Sequence, residues 1–126
     1  MGTRYGWLLI TALVTACFME PDELRLARIT GIEVPETIAP TDTLRIVFNW
    51  AFPHCHELAG MNADWTMDQI TFSVTYRSGP GGWSCPETAA TIGTHALIIL
   101  PSQRRDPFVL LFRQPWGTHV RIVRSQ

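Results

Sequence analysis

Residues 52–58, Phe-Pro-His-Cys-His-Glu-Leu, hold the densest chemistry in the chain. His54, Cys55, His56 and Glu57 follow one another there, and a second cysteine, Cys85, lies further on in Gly-Gly-Trp-Ser-Cys-Pro. Thiolates at Cys55 and Cys85 with an imidazole from His54 or His56 form a donor set suited to zinc or copper. Neighbouring residues of an extended chain point to opposite sides. His54 and His56 would then share a side while Cys55 faces away, which argues against all three holding one ion. No Cys-x-x-Cys or His-Glu-x-x-His spacing is present. A metal-binding protein using His54, Cys55, His56 and Cys85 is therefore the alternative reading, and no cofactor is implied by the preferred one.

Catalytic arrangements elsewhere are thin. Ser84 has no Gly-x-Ser-x-Gly context, and Asp64 and Asp68 form no evident carboxylate pair. Ser-Gly-Pro-Gly-Gly at 78–82 lacks the lysine of a phosphate-binding loop and reads as a tight turn. All ten basic residues are arginine, so no lysine nucleophile or Schiff base exists. Gly-Thr-His occurs twice, ahead of Ala96 and of Val120, each time introducing an apolar run. His95 and His119 form a joint site only if both strands start at one end of the fold. The chain is expected not to be an enzyme.

The amino-terminal residues are a different kind of signal. Arg4 and the terminal amine make a small basic region, and Trp7 to Ala16 is an unbroken apolar run. A bilayer span needs about 20 residues, so this run is too short to cross one. It reads as a targeting segment. The run ends in Val14-Thr15-Ala16-Cys17. These four residues resemble the lipobox of bacterial lipoproteins, in which a branched apolar residue and two small ones precede a cysteine. The resemblance covers residues 1–17 only. It implies that residues 1–16 are a signal peptide, that Cys17 is diacylated on sulfur, and that Cys17 becomes the acylated first mature residue. Anchoring by two or three acyl chains is stable where one is marginal, because each buried CH₂ contributes about 0.8 kcal/mol. The implied address is the bacterial cell envelope, with the mature domain on the periplasmic or extracellular side of a membrane.

That compartment is oxidising, and cysteines left over in such a place usually pair. A Cys55–Cys85 disulfide would close a loop of about 30 residues, worth on the order of 3–4 kcal/mol in the chain-entropy picture. The disulfide is preferred over the metal site. It would also pin residues 53–68, which read as a long irregular connection.

With 126 residues, 46% hydrophobic and 17% charged, the chain has material for one core. A net charge of −1 without blocks of like sign gives no sign of a nucleic-acid partner. Strict period-two alternation runs through Leu44–Phe52 and Ile70–Arg77, predicting half-buried strands. Ala96–Leu100 is continuously apolar, which predicts a central strand. Phe-Val-Leu-Leu-Phe-Arg and His-Val-Arg-Ile-Val-Arg flank Gln-Pro-Trp-Gly-Thr as a hairpin. Arg28–Ile38 predicts a first strand broken at Pro35, and residues 17–28 a short tether with a helical turn at Glu23–Ala27. The expected architecture is a single-domain, all-β, antiparallel β-sandwich over residues 29–126, although a small barrel would give a similar pattern. Its rhythm resembles the immunoglobulin-like domains common in cell-envelope proteins, in pattern alone.

A lipid-anchored envelope protein with a binding, assembly or structural role follows, its partner another envelope protein. The expected binding loop is Pro53–Trp65, with His54, His56, Glu57, Met61 and Trp65, because long loops on rigid sandwiches carry recognition. A second candidate is the turn tip around Trp83 and Trp116, exposed aromatics being frequent interface anchors.

Overall fold

In the computed structural model, which describes residues 23–80, 82–84 and 89–126, the alternating segments become strands. They are β1 (Leu24–Leu26), β2 (Arg28–Glu33), β3 (Thr37–Ile38), β4 (Leu44–Pro53), β5 (Glu57–Trp65), β6 (Gln69–Arg77), β7 (Ala90–Ile99), β8 (Phe108–Gln114) and β9 (Gly117–Ser125). A 3₁₀ turn at Pro101–Gln103 joins β7 to β8. One sheet has the order β2-β4-β7. The other runs β1-β6-β8-β9-β3, with β5 also pairing with β6. The two sheets pack face to face as a β-sandwich.

Alternation explains which side chains meet. Leu44, Ile46, Phe48, Trp50 and Phe52 of β4 point inward and are buried, as are Ile70, Phe72 and Val74 of β6. Phe108, Leu110 and Phe112 of β8 complete the opposing surface. Phe48 bridges the layers, with ring centroids 5.0 Å from Phe72 and 5.6 Å from Phe112. Burying rings of this size supplies most of the energy of such a core. The β8–β9 hairpin forms as the sequence predicts, with Gln114 opposite Gly117 and only Pro115 and Trp116 between them. Gly117 has φ +148°, a backbone setting that suits glycine.

Several expectations change. The pairings β6–β8 and β3–β9 are parallel, so the larger sheet is mixed and not wholly antiparallel. Residues 24–26, expected in a tether with a helical turn, are strand. They pair with Thr75–Arg77, and the chain then crosses at fully buried Ala27 into the other sheet. The fold therefore begins before residue 29. Ala96–Ile99 belongs to β7, which among the described residues pairs only with β4 and is an edge, not a central strand. Its apolar run has one face on the core and the other in solvent, where Ile92 and Ile98 are exposed. Continuous hydrophobicity cannot tell these cases apart.

Two buried polar side chains tie separate parts of the fold together. Gln114 accepts a hydrogen bond from the Ile29 amide and donates one to the Ile29 carbonyl, both at 2.8 Å. Arg104, buried beyond the 3₁₀ turn, donates to the Asp42 carbonyl at 2.7 Å and so fastens the 39–42 turn.

Candidate binding groove at the turn end

The expected loop Pro53–Trp65 does not exist as a loop. Only residues 54–56 turn, and Glu57–Trp65 is β5, paired along its length with β6 apart from a bulge between Leu58 and Gly60. At about 3.3 Å per residue, Trp65 lies roughly 26 Å along the strand from Glu57. The five residues are therefore spread along the strand, with His54, His56 and Glu57 at one end, Trp65 at the other and Met61 midway. Met61 and Trp65 are exposed on the edge strand, and the Trp65 indole N–H donates to the Gln103 carbonyl at 3.2 Å. Glu57 is exposed where β5 begins.

The three residues of the turn have separate surroundings. His54 is exposed, with Nδ1 3.4 Å from the Thr91 hydroxyl. His56 is buried, its ring 5.5 Å from Tyr76 and 4.8 Å from Trp83. Its Nδ1 accepts from the Gly79 amide at 3.4 Å. This close approach needs a glycine, since a Cβ on residue 79 would stand 1.9 Å from the Cys55 carbonyl oxygen. Cys55 is half-buried in the same turn. Cys85, like Cys17 and the whole lipobox-like segment, lies outside the described residues. Among the described residues no three His, Cys, Asp or Glu side chains are grouped to hold a metal ion.

His56 belongs instead to an aromatic ladder. Trp50 stacks on Phe52 at 5.5 Å, Phe52 on Tyr76 at 5.2 Å, and Tyr76 meets both His56 and Trp83. The Arg25 guanidinium closes the series 3.8 Å above the Trp83 ring. Such a cation over an indole face contributes about 0.5–1 kcal/mol at a solvated site. The ladder runs from the core to the turn end and stiffens it.

Beside that ladder is a groove of about 510 Å³, with Phe52, Pro53 and Tyr76 among its walls, Arg28 on its lining, and Pro115 and Trp116 of the hairpin tip. Trp116 is 71% exposed. The second sequence candidate thus divides: Trp83 is packed into the ladder, whereas Trp116 is presented to solvent. No family model, curated protein or solved structure matches the chain. The groove must be read from its own chemistry. Its lining mixes aromatic and aliphatic side chains with polar surface and one guanidinium, which suits an apolar side chain flanked by an acidic or carbonyl group.

The two Gly-Thr-His segments prove unlike. Gly117 leaves the hairpin turn, but Gly93 is inside β7 under the Trp50 indole. His95 packs 5.4 Å from Phe48 of one sheet, and His119 lies 6.4 Å from Phe112 of the other. His119 accepts a 2.9 Å hydrogen bond from Arg121. No feature of the sequence alone distinguished these settings.

Proposed function

We propose that the chain is a lipoprotein of the bacterial cell envelope, anchored through Cys17, whose β-sandwich binds another envelope protein through the turn-end groove and performs no catalysis. The observation that carries the binding role is Trp116. A bare indole at the tip of a two-residue hairpin, beside a groove on a stiff end, is the arrangement of an interface anchor. The anchoring rests on Val14-Thr15-Ala16-Cys17 after its apolar run. A Cys55–Cys85 disulfide is part of the proposal, tying the turn after β4 to the connection before β7.

Intact mass of the protein extracted from its own membrane, alkylated before and after reduction, tests the anchor and the disulfide. The expected species is residues 17–126 plus acyl chains, with no alkylation until reductant is added. An unlipidated chain rejects the anchor, and two thiols alkylated without reduction reject the disulfide. Cys17→Ser is expected to lose the acyl mass entirely.

The binding role has its own test. A photoreactive side chain at position 115, beside Trp116, is expected to give a discrete crosslinked adduct in intact cells, while one at exposed Ser102, beyond β7, gives none. Equal labelling from both positions rejects the groove. Trp116→Ala in the same chain is expected to abolish the adduct. It should leave stability within about 0.5 kcal/mol, as for other surface changes, so the loss would report binding and not unfolding.

A further inference from the structure

We infer that β7 is a self-association edge, pairing antiparallel with β7 of a second copy of this chain to join two three-stranded sheets into one six-stranded sheet.

The other edges are short, charged or blunted in ways that discourage strand addition: β1 has three residues, and β9, which β3 covers only at Arg124 and Ser125, carries Arg121 and Arg124. β2 has a bulge between Thr30 and Glu33, Gly31 at φ +58°, and the Gln114 amide occupying the backbone of Ile29. β5 is bulged between Leu58 and Gly60 and carries Glu57 and Asp64. β3 is two residues long, between Pro35 and Pro40. β7 has none of these devices. It runs ten residues in unbroken register with β4, from Ala90 opposite Pro53 to Ile99 opposite Leu44. It contains no proline, no bulge and no Asp, Glu, Lys or Arg. Among the described residues nothing pairs with its other side.

The pattern on its outward face selects the occupant. Ile92, Thr94, Ala96 and Ile98 are exposed there, while Thr91, Gly93, His95 and Leu97 face the other layer. Read outward from His95 in either direction, the exposed side chains are small, then isoleucine. An antiparallel partner of the same sequence, related by a two-fold axis at His95, places Ile92 opposite Ile98 of the second copy. Thr94 then lies opposite its Ala96. Directly opposed residues in an antiparallel pair share a face, so all four isoleucines of the dimer meet in two solvent-side pairs. Ile92 and Ile98 are 69% and 58% exposed in the single chain, so the pairing covers apolar surface that is otherwise wet. The strand has no Asp, Glu, Lys or Arg to oppose a like charge, His95 meets its own copy at the axis, and an isologous contact of this kind closes as a dimer without growing into a filament.

Sedimentation equilibrium of the full chain in density-matched detergent tests this, with three variants. The wild type is expected at the mass of two chains. I92K/I98K retains every core side chain and is expected to lose the two-chain species, because each introduced ammonium then faces another. I92E/I98K is expected to restore it. Only in the antiparallel register about His95 does the carboxylate introduced at position 92 face the ammonium introduced at position 98 of the other copy. Circular dichroism of each variant confirms an intact fold. A monomeric wild type overturns the inference, as does a dimer indifferent to I92K/I98K or one that I92E/I98K fails to restore. If Ile92→Lys and Ile98→Lys together unfold the chain, Thr94→Lys with Ala96→Lys provides the same like-charge contact, and Thr94→Glu with Ala96→Lys the same rescue.

Discussion

Gln114→Leu is expected to lower the unfolding free energy by about 2–5 kcal/mol, read from urea or thermal denaturation. The substitution keeps bulk but removes both partners of the Ile29 backbone, and each buried group left unsatisfied costs about 1–3 kcal/mol. In a domain of this size that corresponds to a drop in Tm of roughly 10–20 °C or more. Gln114 is 5% exposed and its two bonds cross between the sheets, so water cannot easily replace it. Gln69→Leu is the control: that side chain is exposed on the surface of β6, and its replacement is expected to change stability by no more than about 0.5 kcal/mol. A Gln114→Leu loss below about 1 kcal/mol would mean that Ile29 finds other partners and that the amide is not what holds β2 to β8.

Gly93→Ala has the second-largest expected effect, about 2–3 kcal/mol, the range for forcing an extra methyl into a packed core. A Cβ at residue 93 would lie 2.0 Å from Trp50 Cζ2 and 2.4 Å from Cε2. The indole has no easy retreat, being stacked on Phe52 with an interplanar angle of 5°. Trp50 Nε1 is buried without a hydrogen-bond partner among the described residues. Trp50→Phe therefore sacrifices no hydrogen bond and opens space where the methyl must go. The two changes together are expected to cost less than their sum, which a double-mutant cycle measures directly. Strict additivity would show that the clash is relieved by backbone movement of β7.

Neither Gln114 nor Gly93 was recognisable as important in the sequence, and the reason is the same for both. Each acts on a residue distant along the chain: Gln114 on Ile29, Gly93 on Trp50. Local pattern carries no information about which strand lies alongside or across the core. What it does carry is facing. Leu44–Phe52 and Ile70–Arg77 alternate because one side of each is wet and the other dry, and those strands are found where the alternation places them. β5 fails that test because both of its faces are largely exposed, so Gly60, Asn62 and Asp64 read as loop. Its strand state comes from pairing with β6 and not from burial. The short Leu24–Leu26 strand is likewise held by its partner, with too few residues to show a period. Of the expected binding residues, His56 is a packed ring, which the sequence did not reveal, since a ring wedged between Tyr76 and Trp83 looks no different in sequence from a solvated one. Trp116 was legible because Pro and Gly bracket it closely enough to force a tip.

The crossing at Ala27 has a mechanical consequence. Because β1 lies in one sheet and β2 in the other, a pull on the chain from its amino-terminal side enters at Leu24 and is passed to both layers within a few residues. A load directed along β1 shears its bonds to Thr75–Arg77 together and does not peel them singly. The next resistance is the register of Arg28–Thr30 against Asn49–Ala51, where the Gln114 amide grips from the opposite side. Traction on the chain ahead of Leu24 thus loads the seam between the layers before it can open either one.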